Sequence, residues 1–251
     1  MSGRLVGKRI IVTGAGANIG REAVRSFVSE GARVVIGGRD AVAGRRVEAE
    51  SDNAVAFRQV DVTREDSVRD FVASAVEWLG GLDVLVQNSG VQHSGLVTEF
   101  DAAQWDDLFA VNARGHFFGA KYAVPHLRKS GKGSIINMSS IAGRRGGPGM
   151  TAYSATKGAA IAFSIALAME LAKDNIRVNA ICPGWIDTPF NQPAIDAMGG
   201  RAKQEEIVRQ IVPLGRQATS AEIAPLFVYL ASDESSYVTA QTLSIDGGIY
   251  T

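Results

Sequence analysis

Residues 12–20 read Val-Thr-Gly-Ala-Gly-Ala-Asn-Ile-Gly, a glycine-punctuated turn between an apolar run and a segment of helical periodicity. Glycines permit positive φ and let a phosphate approach the backbone, and a helix N-terminus adds free amides and a favourable dipole. A glycine loop between a strand and a helix is the context that a dinucleotide fingerprint requires. The spacing departs from G-x-G-x-x-G, because Ile19 stands where the last glycine would fall. Alone, the loop reads equally well as a tight turn, so the residues around it have to decide.

Working outward, short β-branched runs at Arg9–Val12, Arg33–Ile36, Ala54–Val60, Asp83–Val86, Ser134–Met138, Arg177–Ile181 and Thr242–Ile245 predict strands. Helical segments alternate with them, at roughly Ile19–Ser29, Ala41–Glu50, Glu65–Leu79, Ala103–Arg128, Ala152–Lys173 and Ala221–Leu230. "RVVIG", "DVLVQ" and "SIINM" are nearly continuous apolar runs, as in strands covered on both faces. The alternation predicts an α/β fold, a doubly wound parallel sheet of about seven strands joined by right-handed crossovers, with helices on both faces. No linker, repeat or low-complexity tract divides residues 1–251, so one domain is expected. Pro183 to about Gly215 holds four prolines and a glycine pair. It reads as a long, helix-poor excursion, and a lid is expected over about 184–215. In such sheets the ligand crevice lies beyond the carboxyl ends of the strands, where every candidate below falls.

Composition narrows the partners. The 26 basic and 26 acidic residues cancel, so no net field favours nucleic acid or an anionic membrane. The single cysteine, Cys182, excludes an intramolecular disulfide and suits a reducing, cytoplasmic setting. "MSGRLVGKRI" carries no apolar core of a secretory signal, and Ser2 removes a myristoylation reading. The charge-free run "GAAIAFSIALAM" (158–169) is 12 residues long, shorter than a spanning helix requires. It is expected to form a helix buried on most sides. His93, His116 and His126 have no metal-ligand spacing, so no metal is expected. No G-x-S-x-G elbow supports a hydrolase.

The decisive residues lie downstream. Tyr153 and Lys157 form Y-x-x-x-K in a helical segment, where side chains at i and i+4 share a face. Ser140 ends the preceding strand, and Asn112 sits in a helix in "VNARG". With T-G-x-x-x-N-x-G, "QNSG" (87–90), "PGWIDTP" (183–189) and "LSIDGG" (243–248), the ensemble resembles the short-chain dehydrogenase/reductase family, from about Lys8 to Gly248. The family loop is usually T-G-x-x-x-G-x-G. Asn18 replaces its middle glycine, and asparagine reaches the left-handed region at modest cost. Its side chain is also expected to cap the following helix.

The resemblance implies a Rossmann-type fold, a nicotinamide cofactor and interconversion of a secondary alcohol and a ketone. It assigns Gly14, Gly16, Asn18, Ile19 and Gly20 to the cofactor, with Asp61 and Val62 near the adenine. Asn88, Ser89, Gly90, Pro183, Gly184, Ile186 and Thr188 complete that set, the last two at the carboxamide. Tyr153 is then the general acid/base and Ser140 the partner of the substrate oxygen. Lys157 holds the nicotinamide ribose, and Asn112 supports a proton-relay water. A lysine cation within about 4–6 Å is expected to draw the phenol down from its ordinary pKa near 10. Gln92, His93, Arg144 (or Arg145), Met150 and Trp185 are the candidate contacts to a small-molecule substrate. A catalytically silent NADP-binding sensor on the same fold is the competing reading.

Cofactor choice rests on Gly37-Gly38-Arg39. An acid about 20 residues past the loop would bond the ribose hydroxyls and repel a 2′-phosphate. Gly38 holds that place, and the Arg39 guanidinium suits a phosphate. NADP(H) is expected over NAD(H), with Asp40 turned away as a helix N-cap. The apolar helix around residues 152–172 further predicts a homotetramer, by likeness to family members that pair this helix across dimer axes.

Overall fold

Neighbouring residues of the first strand serve opposite cores. Ile10 and Val12 pack into one apolar cluster and Ile11 into another, the alternation expected of a strand buried on both faces. The computed structural model describes residues 3–250. In chain order the elements are β1 (Arg9–Thr13), α1 (Asn18–Ser29), β2 (Arg33–Gly38), α2 (Ala41–Ala49), β3 (Val55–Gln59) and α3 (Glu65–Leu79). Next come β4 (Val84–Gln87), α4 (Ala102–Phe109), α5 (Gly115–Ser130), β5 (Gly133–Met138), α6 (Ala142–Arg145) and α7 (Thr151–Leu171). The chain continues through β6 (Ile176–Pro183), α8 (Gln192–Ala197), α9 (Arg201–Ile211), α10 (Ser220–Ala231) and β7 (Thr242–Ile245).

The strands form one parallel sheet in the order β3-β2-β1-β4-β5-β6-β7. Helices α1, α2 and α10 supply the core on one face, where the Phe27 and Phe227 rings meet edge to face at 6.5 Å. Helices α3, α5 and α7 cover the other face. This is the expected doubly wound architecture. Its order reverses at β1, which pairs with β2 on one side and β4 on the other, and a crevice opens there beyond the carboxyl ends.

Four local expectations are corrected. The segment from Pro183 to Gly215 is not helix-poor, for it contains α8 and α9. Pro189 and Pro193 fall in the first turns of short helices, where a missing N–H costs nothing. The single helix read over Ala103–Arg128 is α4 and α5 joined by a π turn at Ala110–Arg114, with Asn112 at its middle. Asn18 is left-handed as expected (φ 51°), but Ala17 is the N-cap residue of α1 and no side chain caps that helix.

The fourth correction concerns α7. Thr151–Asp174 is long and apolar enough, by composition alone, to cross a membrane. Here its Tyr153, Thr156, Lys157 and Ser164 side is buried within the chain, while Ile165 and Met169 are exposed. One face is covered, not most of the circumference.

Candidate active site

The glycine loop is shaped by close approach. Gly14 has φ 72°, and a Cβ there would stand 2.7 Å from the Ser89 backbone. A Cβ at Gly20 would meet the Gly14 carbonyl oxygen at 2.4 Å. Asn88 Nδ2 donates to that same oxygen at 2.7 Å, tying the end of β4 to the loop. α1 begins with no side-chain cap and no acid in its first turn. Its leading amides are therefore available to an anion.

Behind the loop lies a buried polar network that sequence reasoning missed. Gln87 Nε2 donates to the His116 carbonyl at 3.0 Å and to Asn137 Oδ1 at 2.9 Å. Asn137 Nδ2 donates onward to Ser164 Oγ at 2.8 Å. Gln87, read above only as one letter of "QNSG", thereby fastens α5, β5 and α7 together beneath the site. The signal was a polar residue ending an otherwise apolar strand, which needs a partner once buried.

Asn112 is fully occupied. Its Oδ1 accepts from Val91 N at 2.9 Å, and its Nδ2 donates to Val91 O at 2.9 Å and Thr156 Oγ1 at 3.2 Å. The π turn thus clamps the loop that follows "QNSG". Ser140 follows β5, and its Oγ accepts from Ala142 N at 3.1 Å, opening α6. Gly143 lets α6 lie directly on α7, since a Cβ there would come 2.5 Å from the Lys157 carbonyl carbon. The contact fixes Ser140 relative to Tyr153 and Lys157.

Ser140, Tyr153, Lys157 and the glycine loop converge on a cavity of about 460 Å³, whose lining does not include Asn112. Gly14, Asn18, Ile19, Gly20, Asn88, Ser89 and Gly90 line it. Ser140, Met150, Tyr153, Lys157 and Gln92 line it too, with Pro183, Gly184, Trp185, Ile186 and Thr188. Phe190, Met198, Ile207 and Ile211 also line it, unpredicted because helices in the lid region were not foreseen, and so does Ile249, beyond β7. The Phe190 ring lies 6.5 Å from that of Tyr153. Gln92 is buried, and its Oε1 has no protein partner.

Other expected residues lie off the cavity wall. Gly16 faces α2, where a Cβ would meet Ala43 Cβ at 3.1 Å. Arg39 follows β2, with its carbonyl accepting from Gln59 Nε2 at 3.0 Å. Asp40 caps α2 as expected, accepting from Val42 N and Ala43 N at 3.0 Å each. Burial alone would raise the Asp61 carboxyl, but two bonds from Thr63 with nearby Arg39 and Arg64 outweigh it and hold it low. Val62 packs against Gly115. His93 places Nε2 3.0 Å from Asp107 Oδ2, and no part of it lines the cavity. Arg144 donates to Thr242 O and Ser244 Oγ and stacks on Tyr250 at 4.0 Å, whereas Arg145 does line the cavity.

Electrostatics departs from expectation. Burial pushes the Tyr153 phenol well above its ordinary value, and hydrogen bonding with Ser140 only partly offsets this. Burial also lowers Lys157 to about 8. Lys157 Nζ lies 5.6 Å from the Tyr153 ring centroid and donates to Met138 O at 3.1 Å. Desolvation of both groups outweighs the expected pull of ammonium on phenol.

Residues 14–250 match a family model described as enoyl-(acyl carrier protein) reductase. A 3-oxoacyl-(acyl-carrier-protein) reductase of Thermotoga maritima is 38% identical, over 98% of this chain and 99% of that protein. A 2-keto-3-deoxy-L-fuconate dehydrogenase of Xanthomonas campestris is 39% identical, over 98% of this chain and 81% of its own. A 3-alpha-(or 20-beta)-hydroxysteroid dehydrogenase of Mycobacterium bovis is 39% identical, over 99% and 91%. The chain belongs to the short-chain dehydrogenase/reductase family of oxidoreductases. The family implies a nicotinamide cofactor.

Proposed function

We propose that this protein interconverts a secondary alcohol and a ketone with NADP(H), using Tyr153 as general acid/base. The observation that carries the reading is the convergence of Ser140, Tyr153 and Lys157 on one cavity that also contains the glycine loop.

The residues present fit a dinucleotide. The uncapped start of α1 offers amides to a pyrophosphate. Lys157 Nζ has one protein acceptor, leaving further N–H groups for ribose hydroxyls. Gly38 carries no acid, and a Cβ there would have nothing within 4 Å, so there is room beside Arg39 for a 2′-phosphate. The nicotinamide, when bound, supplies or takes up the hydride.

The remaining steps belong to the chain. Ser140 Oγ hydrogen-bonds the substrate oxygen and orients the carbonyl toward Tyr153. In reduction the phenol gives its proton to that oxygen, and in oxidation the phenolate takes it back. A raised phenol pKa leaves the proton on Tyr153 at neutral pH, the state that reduction needs. Positive charge on Lys157 eases loss of that proton. The Asn112 side chain is spent on Val91, so its contribution to a relay falls to the backbone of the π turn.

Three relatives of nearly equal identity carry names with three different substrates, so overall likeness does not choose one. The cavity wall has to. Gln92 Oε1 awaits a donor, and Trp185 and Met150 line the same cavity. A homotetramer joined through the exposed face of α7, in a reducing cytoplasmic setting, completes the proposal. Nicotinamide absorbance with a panel of ketones and alcohols tests it. Tight NADPH binding without turnover of any carbonyl would instead identify a sensor.

A further inference from the structure

The charges on the cavity wall are all of one sign. Its lining contains Lys157 and Arg145 and no aspartate or glutamate. Lys157 is committed to the Tyr153 side and bonds Met138 O. Arg145 is not committed. Among the described residues no carboxylate pairs with it, and its side chain donates only from Nη1 to the neutral Ile249 carbonyl at 3.4 Å. One long bond to a carbonyl leaves most of a guanidinium's five donors free.

The adjacent Arg144 shows what a structural arginine looks like here. It bonds a carbonyl and a hydroxyl of β7 and stacks on Tyr250, away from the cavity. Two consecutive arginines at the end of α6 therefore have different fates. Both sit favourably at a helix C-terminus, but only Arg145 lines the cavity. Its backbone is well fixed, while the residue itself is exposed. α6 begins two residues after Ser140, and Gly143 seats it against the Lys157 backbone. An anion bound by Arg145 is thus registered against the reacting oxygen. Arg145 follows Ser140 on the wall that continues to Pro148 and Met150, whereas the amides suited to pyrophosphate belong to residues 14–20.

We propose that Arg145 is the specificity-determining anchor for a carboxylate on the substrate, so that the preferred substrates are keto or hydroxy acids. This rests on the oxidoreductase reading given above. A guanidinium grips a carboxylate through paired N–H bonds that neither an ester nor a plain ketone can reproduce.

The test uses purified protein with NADPH and matched carbonyl pairs, such as 3-oxohexanoate against methyl 3-oxohexanoate. The expected wild-type kcat/KM favours the acid about ten- to hundredfold, the range of one charge-assisted contact. Arg145→Ala should erase that ratio, Arg145→Lys should restore part of it, and Arg145→Glu should invert it. A wild-type preference for the ester, or a ratio unmoved in Arg145→Ala, overturns the anchor. So does an equal loss of NADPH affinity in Arg145→Ala, which would assign the arginine to the cofactor. Calorimetric binding of hexanoate to the NADP-loaded protein separates the two readings. Arg145-dependent binding without turnover would keep the anchor and remove the reaction, while Arg145-independent binding would remove the anchor.

Discussion

Asn112 holds Val91 on both sides of its backbone, accepting from the nitrogen and donating to the oxygen, each at 2.9 Å. The pair joins a π turn to the loop whose Asn88, Ser89 and Gly90 line the cavity. Asn112→Ala should leave two backbone groups of Val91 short of partners, at about 1–3 kcal/mol each before any rescue by water. A fall in Tm of several degrees with a loss of turnover is expected. Retention of the full melting temperature would show that the clamp contributes little.

Tyr153→Phe keeps the ring beside Phe190 and removes only the proton donor. Turnover should fall about 10²–10⁴-fold, the usual contribution of positioned acid–base catalysis. NADPH affinity, read by fluorescence titration, should change little. A variant with more than about a tenth of wild-type turnover would assign the proton to another group.

Lys157 gives a pH prediction with a definite sign. Burial lowers it to about 8 from the ordinary 10.5, so between those values the unfolded chain binds more protons than the folded one. Stability therefore rises with pH across that window, and below it the buried charge costs on the order of 3 kcal/mol. Lys157→Met removes the charge and also leaves Met138 O without its donor. The net expectation at pH 7 is a more stable but inactive protein, by about 1–2 kcal/mol. The advantage should shrink as pH rises from about 8 toward 10.5. Melting curves of wild type and variant at several pH values decide this. A constant difference would show that Lys157 does not titrate there.

Cofactor choice is tested at two neighbouring positions. Gly38→Asp adds a carboxylate where a Cβ meets nothing within 4 Å, so the fold should tolerate it. Arg39→Ala removes the guanidinium. Each should move the ratio of kcat/KM for NADPH over NADH toward NADH, by about ten- to hundredfold for Arg39→Ala. A wild-type preference for NADH would refute the assignment.

Assembly is tested on α7. Ile165 and Met169 are exposed, on a helix whose opposite side is buried. Light scattering should report a tetramer at micromolar concentration. Ile165→Glu with Met169→Glu should yield smaller species, and a monomeric wild type would sink the proposal.

The parallel sheet was legible because buried strands write themselves as unbroken apolar runs, and β1 to β7 fall within one or two residues of their predicted bounds. The cap at Asp40 and the left-handed Asn18 were legible because each is a local preference of one side chain. The α8–α9 pair was not, because prolines there were read as breakers when two of them start helices. The π turn was hidden because apolar spacing fixes a helix face and not the hydrogen-bond register. Arg144 and Arg145 are indistinguishable as letters, and only the seating of α6 against β7 and α7 separates them. For Tyr153 the sign was missed because the pull of Lys157 was weighed without the desolvation that both residues share.

Cys182 stands at the end of β6, fully covered, and it is the chain's one cysteine. The native surface therefore carries no thiol, and a maleimide dye would find nothing to react with on the folded protein. One cysteine introduced on the outer side of α9, at exposed Lys203 or Arg209, would become a unique attachment point. The chain is thus ready-made for fluorescence, with the dye reporting in real time whether the α8–α9 flap moves as NADPH and a carbonyl compound are added.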